Sequence, residues 1–191
     1  LDMWDAQLAE SGASVMDLRR EFLKTLAQTA AETHARVSGG AEVMTVEYAP
    51  SAETADAGAA LAETLREMLL RARQMDLRRL ITSVGPHRDD VRVLLNGQDA
   101  RAYGSQGQVR TCALSLKLSE LEIMRRESGE SPVLMLDDVM SELDPGRRRL
   151  LIGMLEDVQT FVTCTDPTDL AGAAIGRVFR VKNATLTEEN A

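Results

Sequence analysis

Two adjacent carboxylates, Asp137 and Asp138, follow directly on the apolar run Val133-Leu134-Met135-Leu136. Such a run predicts a short strand buried on both faces. The acids then sit at its C-terminal end, the edge where open α/β sheets bind ligands. One carboxylate there can hold Mg2+, directly or through water, because magnesium takes hard oxygen ligands. The other can orient or deprotonate an attacking water. Taken alone, the pair reads equally well as a solvated strand end.

Upstream, Tyr103-Gly104-Ser105-Gln106-Gly107-Gln108 opens a long helix that should run from about Gln108 to Arg126. A serine beside glycine at a helix N-terminus offers an anion a hydroxyl, free backbone N–H groups and the positive end of the dipole. Downstream, Ser141-Glu142-Leu143-Asp144-Pro145 forms a polar turn into the next helix, with Asp144 as N-cap and Pro145 at the first helical position. Each segment by itself is only a capped helix. The order of the three is the specific signal: Ser-x-Gly-Gln helix, apolar strand, Asp-Asp, then Ser-Glu-Leu-Asp.

The surrounding elements must place these residues. Up to about Leu80 the chain reads as mostly helical. Val15, Leu18, Phe22, Leu26, Ala30, Thr33 and Val37 recur at steps of three and four and define one helical face. Gly39-Gly40 stops that helix. Met44, Val46 and Tyr48 alternate as a half-buried strand, 50–58 is a loop, and Leu61, Leu65, Met68, Leu69, Ala72 and Met75 rebuild a helical face. Beyond that the reading is α/β. Val91, Val93 and Leu95 precede Asn96-Gly97, a hairpin turn in which both positions need positive φ. Phe161-Val162-Thr163 and Val178 to Val181 are further strands, and the tail from Asn183 is expected to fray.

The bulk numbers exclude several classes. With 191 residues, 44% hydrophobic and 27% charged, a packed core is feasible and wholesale disorder is not. No apolar run is long enough to cross a bilayer, and no charged-then-apolar stretch reads as a secretory signal. The first residue is Leu1, not Met, so the chain is expected to begin inside a longer protein. A net charge of −8 excludes a protein that works by coating nucleic acid, so any DNA contact must be local. Cys112 and Cys164 lack metal-ligand spacing and read as buried free thiols in a reducing cytoplasm. His34 and His87 stand alone. Arg66, Arg71, Arg73, Arg78 and Arg79 form a basic face that is ordinarily just solvated, and Arg147-Arg148-Arg149 at a helix start calls for a partner acid or anion.

The ordered motifs resemble the ABC ATPase superfamily in its SMC-like branch. Gly85-Pro86-His87-Arg88-Asp89-Asp90, Ser105-Gln106-Gly107-Gln108-Val109-Arg110-Thr111 and Leu136 to Asp144 are similar to the RecF family of bacterial recombination-repair proteins. The opening Leu1-Asp2-Met3-Trp4-Asp5-Ala6-Gln7-Leu8 is similar to the start of that family's helical arm. The resemblance implies an α/β fold, the C-terminal lobe of an ABC-type head (81–191), preceded by a mostly helical arm (1–80). It implies Asp137 as the Walker B magnesium acid and Asp138 as the base, where most of the superfamily has glutamate. Ser105, Gln106, Gly107 and Gln108 would form the signature motif that meets ATP held by a second copy. Ser141 and Asp144 would belong to the D-loop. Thr163-Cys164-Thr165-Asp166 stands where transporters carry a switch histidine, which speaks against a transporter ATPase.

No G-x-x-x-x-G-K-[ST] phosphate loop is present. By resemblance, that loop belongs to a first lobe ahead of the arm, so this chain would supply the trans half of an ATP site and the Mg2+ acids. The implied whole is a cytoplasmic, DNA-dependent ATPase that dimerises on ATP and clamps DNA at gaps or stalled forks. It would work with RecO and RecR to load recombinase and support the SOS response. The missing loop leaves a second reading open, a non-enzymatic dimerisation or docking module. A chromosome-structure ATPase would need far longer heptad arms.

Overall fold

The computed structural model describes residues 1–52, 56–155 and 157–189. A single helix is its spine: α1 (Asp2–Val37), about 54 Å long at the usual rise. It contributes to all three hydrophobic clusters. Ala9, Ala13 and Met16 pack with Leu61, Leu65 and Leu69 of α2 (Gly58–Arg79). Leu23, Leu26 and Ala30 pack on Met44, Val46 and Leu95. Val37 joins Leu114, Leu118, Leu136, Met140 and Leu151.

The face of α1 departs from the periodicity reading over its first half. Val15, Leu18 and Phe22 are exposed, Leu18 by 72%, and the buried face is instead Ala9, Gly12, Ala13 and Met16. Small residues let α2 and Pro86 approach closely. A Cβ on Gly12 would already lie 3.2 Å from Pro86 Cδ. A stripe chosen for bulk therefore points to the wrong side, while from Leu26 onward the expected positions are the buried ones. On α2, Met75 is exposed rather than packed.

Strand β1 (Met44–Ala49) pairs antiparallel with β2 (Asp90–Leu95), so segments from either side of α2 share one sheet. Asn96 and Gly97 turn β2 into β3 (Gln98–Asp99) with φ of 51° and 81°, the expected hairpin. The short α3 (Ala100–Tyr103) leads into α4 (Gln106–Ser128). Then β4 (Leu134–Asp137), α5 (Pro145–Met154) and β5 (Thr160–Thr163) form a β-α-β unit whose strands are parallel. The expectation that β4 is buried on both faces fails. Leu136 is buried, but Met135 is 78% exposed, and Val133 and Phe161, the register partner of Met135 on the neighbouring strand, are also open. The sheet has only two strands, and one face packs on α4 and α5 while the other meets no layer among the described residues.

The C-terminal tail does not fray from Asn183. β6 (Val178–Lys182) turns through Asn183 and Ala184, at φ of 51° and 58°, into β7 (Thr185–Glu189). Backbone pairing and the Arg180–Glu189 ion pair hold it. Residues 190–191 of that tail, and 53–55 of the expected 50–58 loop, lie outside the described residues. Among the described residues no helix is long and apolar enough to cross a membrane.

Candidate functional site

Asp137 ends β4 in register with Thr163 of the parallel neighbour β5. Thr163 Oγ1 donates to Asp137 Oδ1 at 2.5 Å and accepts the Asp138 N–H at 3.0 Å. One hydroxyl thus orients the first acid and fixes the backbone of the second. Asp138 has φ 52°, a left-handed conformation that aspartate tolerates better than most residues. Its carboxylate has no hydrogen-bond or ion-pair partner among the described residues and is exposed. Asp137 is exposed as well, with Oδ2 left open by the Thr163 bond. A hard carboxylate oxygen at a strand end suits Mg2+ that keeps most of its own waters. The described residues hold no cluster of three or more acidic, His or Cys ligands, so a metal here would complete its shell from water or a phosphate.

From Asp138 the chain turns through a 3-10 segment, Met140–Glu142, into α5. Ser141 Oγ donates to the Asp138 carbonyl at 2.9 Å. Asp144 caps α5, accepting from the N–H groups of Gly146 and Arg147 at 2.9 and 3.1 Å. Those N–H bonds, that of Arg147 foremost, hold its carboxyl below the usual range.

Ser105 is the exposed N-cap of α4. A reciprocal box closes that end: Gln108 N–H donates to Ser105 Oγ at 3.3 Å, and Ser105 N–H donates to Gln108 Oε1 at 2.9 Å. The glycine before it is obligatory, because a Cβ on Gly104 would sit 2.5 Å from the Ala100 carbonyl. Gly107 is different: a Cβ there would meet only Arg147 Nη1, at 3.7 Å, so packing within this chain does not demand glycine. Arg110 of α4 reaches Glu142 at 3.0 Å, and Arg147 of α5 reaches the Gly107 carbonyl and Thr111 Oγ1 at 3.3 and 3.0 Å. The three sequence segments, Ser105 to Gln108, Asp137-Asp138 and Ser141 to Asp144, therefore share one bonded frame with its polar groups outward.

Known proteins match this chain over most or all of its length. No family model matches the sequence. The DNA replication and repair protein RecF of Acetivibrio thermocellus is 44% identical over 168 residues, which cover 87% of this chain and 46% of that protein. RecF of Lachnospira eligens is 39% identical over 192 residues, covering 100% of this chain and 51% of its own length. RecF of Symbiobacterium thermophilum is 45% identical over 192 residues, with 96% and 51% covered. A solved structure described as the recombination mediator protein RecF-ATP in the RecFOR pathway superposes with a TM-score of 0.84 at 38% identity, over 100% of this chain and 50% of that one. Its RecF-ATPrS counterpart gives 0.83 at 39%, over 98% and 50%. The chain belongs to the RecF family. It spans about half the length of the curated RecF relatives it matches and corresponds to the C-terminal half. Its fold is that of RecF heads, which are of the ABC type.

Sequence reasoning missed several residues that hold this frame together. Thr163 was visible as part of a strand and of the segment that stands where transporters carry a switch histidine, but not as a partner of Asp137. Glu42, in the segment after Gly39-Gly40, carries no periodic or motif signal, yet it accepts from Gln108 and from Arg147, the partner acid that the arginine run called for. Arg148 finds another acid, Asp169, at 2.5 Å. His34, read as isolated, is fully buried against Ser115 and Glu42, and burial pushes its pKa down. Thr111, Ser115 and Ser119 line the buried side of α4, each hydroxyl donating to the carbonyl four residues back.

The Gly85 to Asp90 motif proves to be a structural knot. Asp89, its side chain 2% exposed, takes Arg19 at 3.1 Å, the Ser51 N–H at 2.8 Å and the Tyr48 hydroxyl. Burial and that acid push Tyr48 up to about 12. Of the expected thiols, Cys112 is buried but Cys164 is only half-buried. Asp166 spends Oδ1 on the Thr168 N–H and hydroxyl.

Proposed function

We propose that this chain is the arm (1–80) and C-terminal lobe (81–191) of an ATP-dependent DNA-repair clamp of the RecF kind. Ser105 to Gln108 present a capped helix N-terminus to the γ-phosphate of ATP held by a second copy, and the Ser141 to Asp144 turn lines the same interface. Asp137 holds Mg2+, and Asp138, unpartnered, activates the water. Binding of ATP joins two heads because each signature turn completes the other's site; hydrolysis removes the bridging phosphate and releases the dimer. The observation that carries this reading is the outward-facing frame of signature turn, acids and D-loop, in a chain that superposes on a RecF-ATP structure over its full length.

Such a clamp acts on duplex DNA and gap junctions in the cytoplasm, with RecR and RecO as partners and recombinase loading and the SOS response as its outcome. Of the expected basic face, Arg66, Arg71 and Arg73 are paired with Glu63, Glu67 and Asp2 with Asp5. Arg78 and Arg79 have no ion-pair partner among the described residues, which makes them the better candidates for phosphate contact. The absence of a phosphate loop from these 191 residues favours a second reading for the chain in isolation, a non-enzymatic dimerisation or docking module. Light scattering with and without a non-hydrolysable ATP analogue separates the two. In the full-length protein, Ser105→Arg abolishes nucleotide-dependent dimerisation if the trans-site reading holds. A Ser105→Arg protein that dimerises on nucleotide defeats it.

A further inference from the structure

An unbroken chain of side-chain contacts connects the turn at Ser105 to the turn at Asp144, and its hub is Glu42. Gln108 takes the Ser105 N–H with Oε1 at 2.9 Å and donates through Nε2 to Glu42 Oε1 at 3.0 Å. Arg147 donates through Nη2 to that same oxygen, also at 3.0 Å. The other Arg147 nitrogens reach back to both turns: Nη1 to the Gly107 carbonyl and the Thr111 hydroxyl, Nε to within 3.6 Å of Asp144 Oδ2. On its far side, Glu42 Oε2 lies 3.2 Å from His34 Nε2. On its other side, His34 Nδ1 lies 3.0 Å from Ser115 Oγ, so the neutral ring that carries its proton on Nε2 donates to Glu42.

The Glu42 side chain is 10% exposed and that of His34 is fully buried. A carboxylate so placed costs stability unless its lone pairs are met, and here an arginine, an amide and an imidazole meet them. Apolar packing would join α1 to α4 more cheaply, but it would not fix directions. Charge-assisted bonds do. Because Gln108 and Arg147 share one Glu42 oxygen, neither turn can shift without breaking a bond to the other's anchor.

Resting on the trans-site reading above, we infer that Glu42 is a positioning residue that holds the Ser105–Gly107 turn and the Ser141–Asp144 turn as one rigid surface. The two then engage a second copy's nucleotide together. Glu42 touches neither nucleotide nor reacting atoms. Its effect passes through Gln108 and Arg147, and it makes ATP-driven dimerisation depend on the joint between the arm helix and the lobe.

The test uses the full-length protein with Glu42→Gln, Arg147→Lys and Ser105→Arg as a control. Light scattering with a non-hydrolysable ATP analogue should show the dimer Kd raised roughly tenfold or more in Glu42→Gln and Arg147→Lys, less than the full loss of a charge-assisted hydrogen bond at both sites because the effect is indirect. Nucleotide affinity of the dilute monomer should stay unchanged. Turnover should recover once protein is raised above the new dimer Kd, which a folding defect would not allow. If Glu42→Gln does not fold, Arg147→Lys decides, since it keeps a cation beside Glu42 and loses only the fork. Wild-type dimerisation in both variants, with Ser105→Arg inactive, overturns the positioning role and leaves the trans site standing. Loss of monomer nucleotide affinity that concentration does not restore overturns it too, marking Glu42 as a core contact. Normal dimerisation of Ser105→Arg removes the trans site itself, and this inference with it.

Discussion

Replacing Ser105 by aspartate separates the two roles that one hydroxyl can play at the start of α4. As a cap, Ser105 Oγ accepts the Gln108 N–H at 3.3 Å, a long contact. Losing it altogether, as in Ser105→Ala, costs about 0.5–1 kcal/mol, or about 1–3 °C in the melting midpoint of a chain of this size. Aspartate caps as well as serine and also suits the helix dipole, so Ser105→Asp should melt at or slightly above the wild-type midpoint. As a phosphate ligand, the same change removes a donor and adds a negative charge against an anion. A hydrogen bond to a charged group contributes about 1.5–3 kcal/mol. A symmetric dimer has two such sites, so the loss is roughly a hundredfold to ten-thousandfold in dimer Kd before any repulsion is counted. The assay is differential scanning fluorimetry beside analytical ultracentrifugation of the full-length protein with a non-hydrolysable ATP analogue. An unaltered melting point together with lost dimerisation is expected. Ser105→Asp that still dimerises on nucleotide as the wild type does would refute the phosphate-facing role and leave Ser105 a helix cap.

The other expectations concern the acids, the glycine, the buried histidine and the isolated chain. In the full-length protein, Asp138→Asn should retain nucleotide binding and slow turnover by roughly a hundredfold or more, the scale of a lost general base; steady-state hydrolysis near wild type would remove Asp138 from that role. Asp137→Asn should instead weaken nucleotide binding only when Mg2+ is present, checked by titration with and without a chelator. Since Gly107 has room for a methyl group, Gly107→Ala should leave the melting point level or raised yet impair nucleotide-driven dimerisation, and impaired folding would show that the glycine is structural. Burial holds the folded-state pKa of His34 below 6.5, so between those values the unfolded chain binds more protons. Stability should therefore fall as pH drops below about 6.5, and the fall should flatten in His34→Gln; a pH profile identical in both proteins contradicts it. The 191-residue chain alone should bind Mg-ATP weakly in calorimetry, and a tight single site would show that it needs no further lobe.

Much of this protein was legible without coordinates, and for a definite reason. The caps at Ser105 and Asp144, the Asn96-Gly97 hairpin and the strand ending in Asp137-Asp138 are set by neighbours within four residues, where sterics and backbone hydrogen bonding decide. Chemistry that depends on order along the chain was legible for the same reason, which is why the RecF resemblance could be read from short motifs.

Tertiary structure decided what distance in sequence conceals. Which side of α1 is buried depended on how closely α2 and Pro86 approach, and Gly12 and Ala13 rather than Phe22 permit that approach. Met135 lies open because, among the described residues, β4 has one neighbour and one packed face, a property of the sheet and not of the strand. Thr163 became the partner of Asp137 through parallel register alone. Glu42 and Arg147, 105 positions apart, meet because α1 threads past both α4 and α5. A buried carboxylate takes whichever donors the packing of these helices delivers, and nothing local to Gly39-Gly40-Ala41-Glu42 names them.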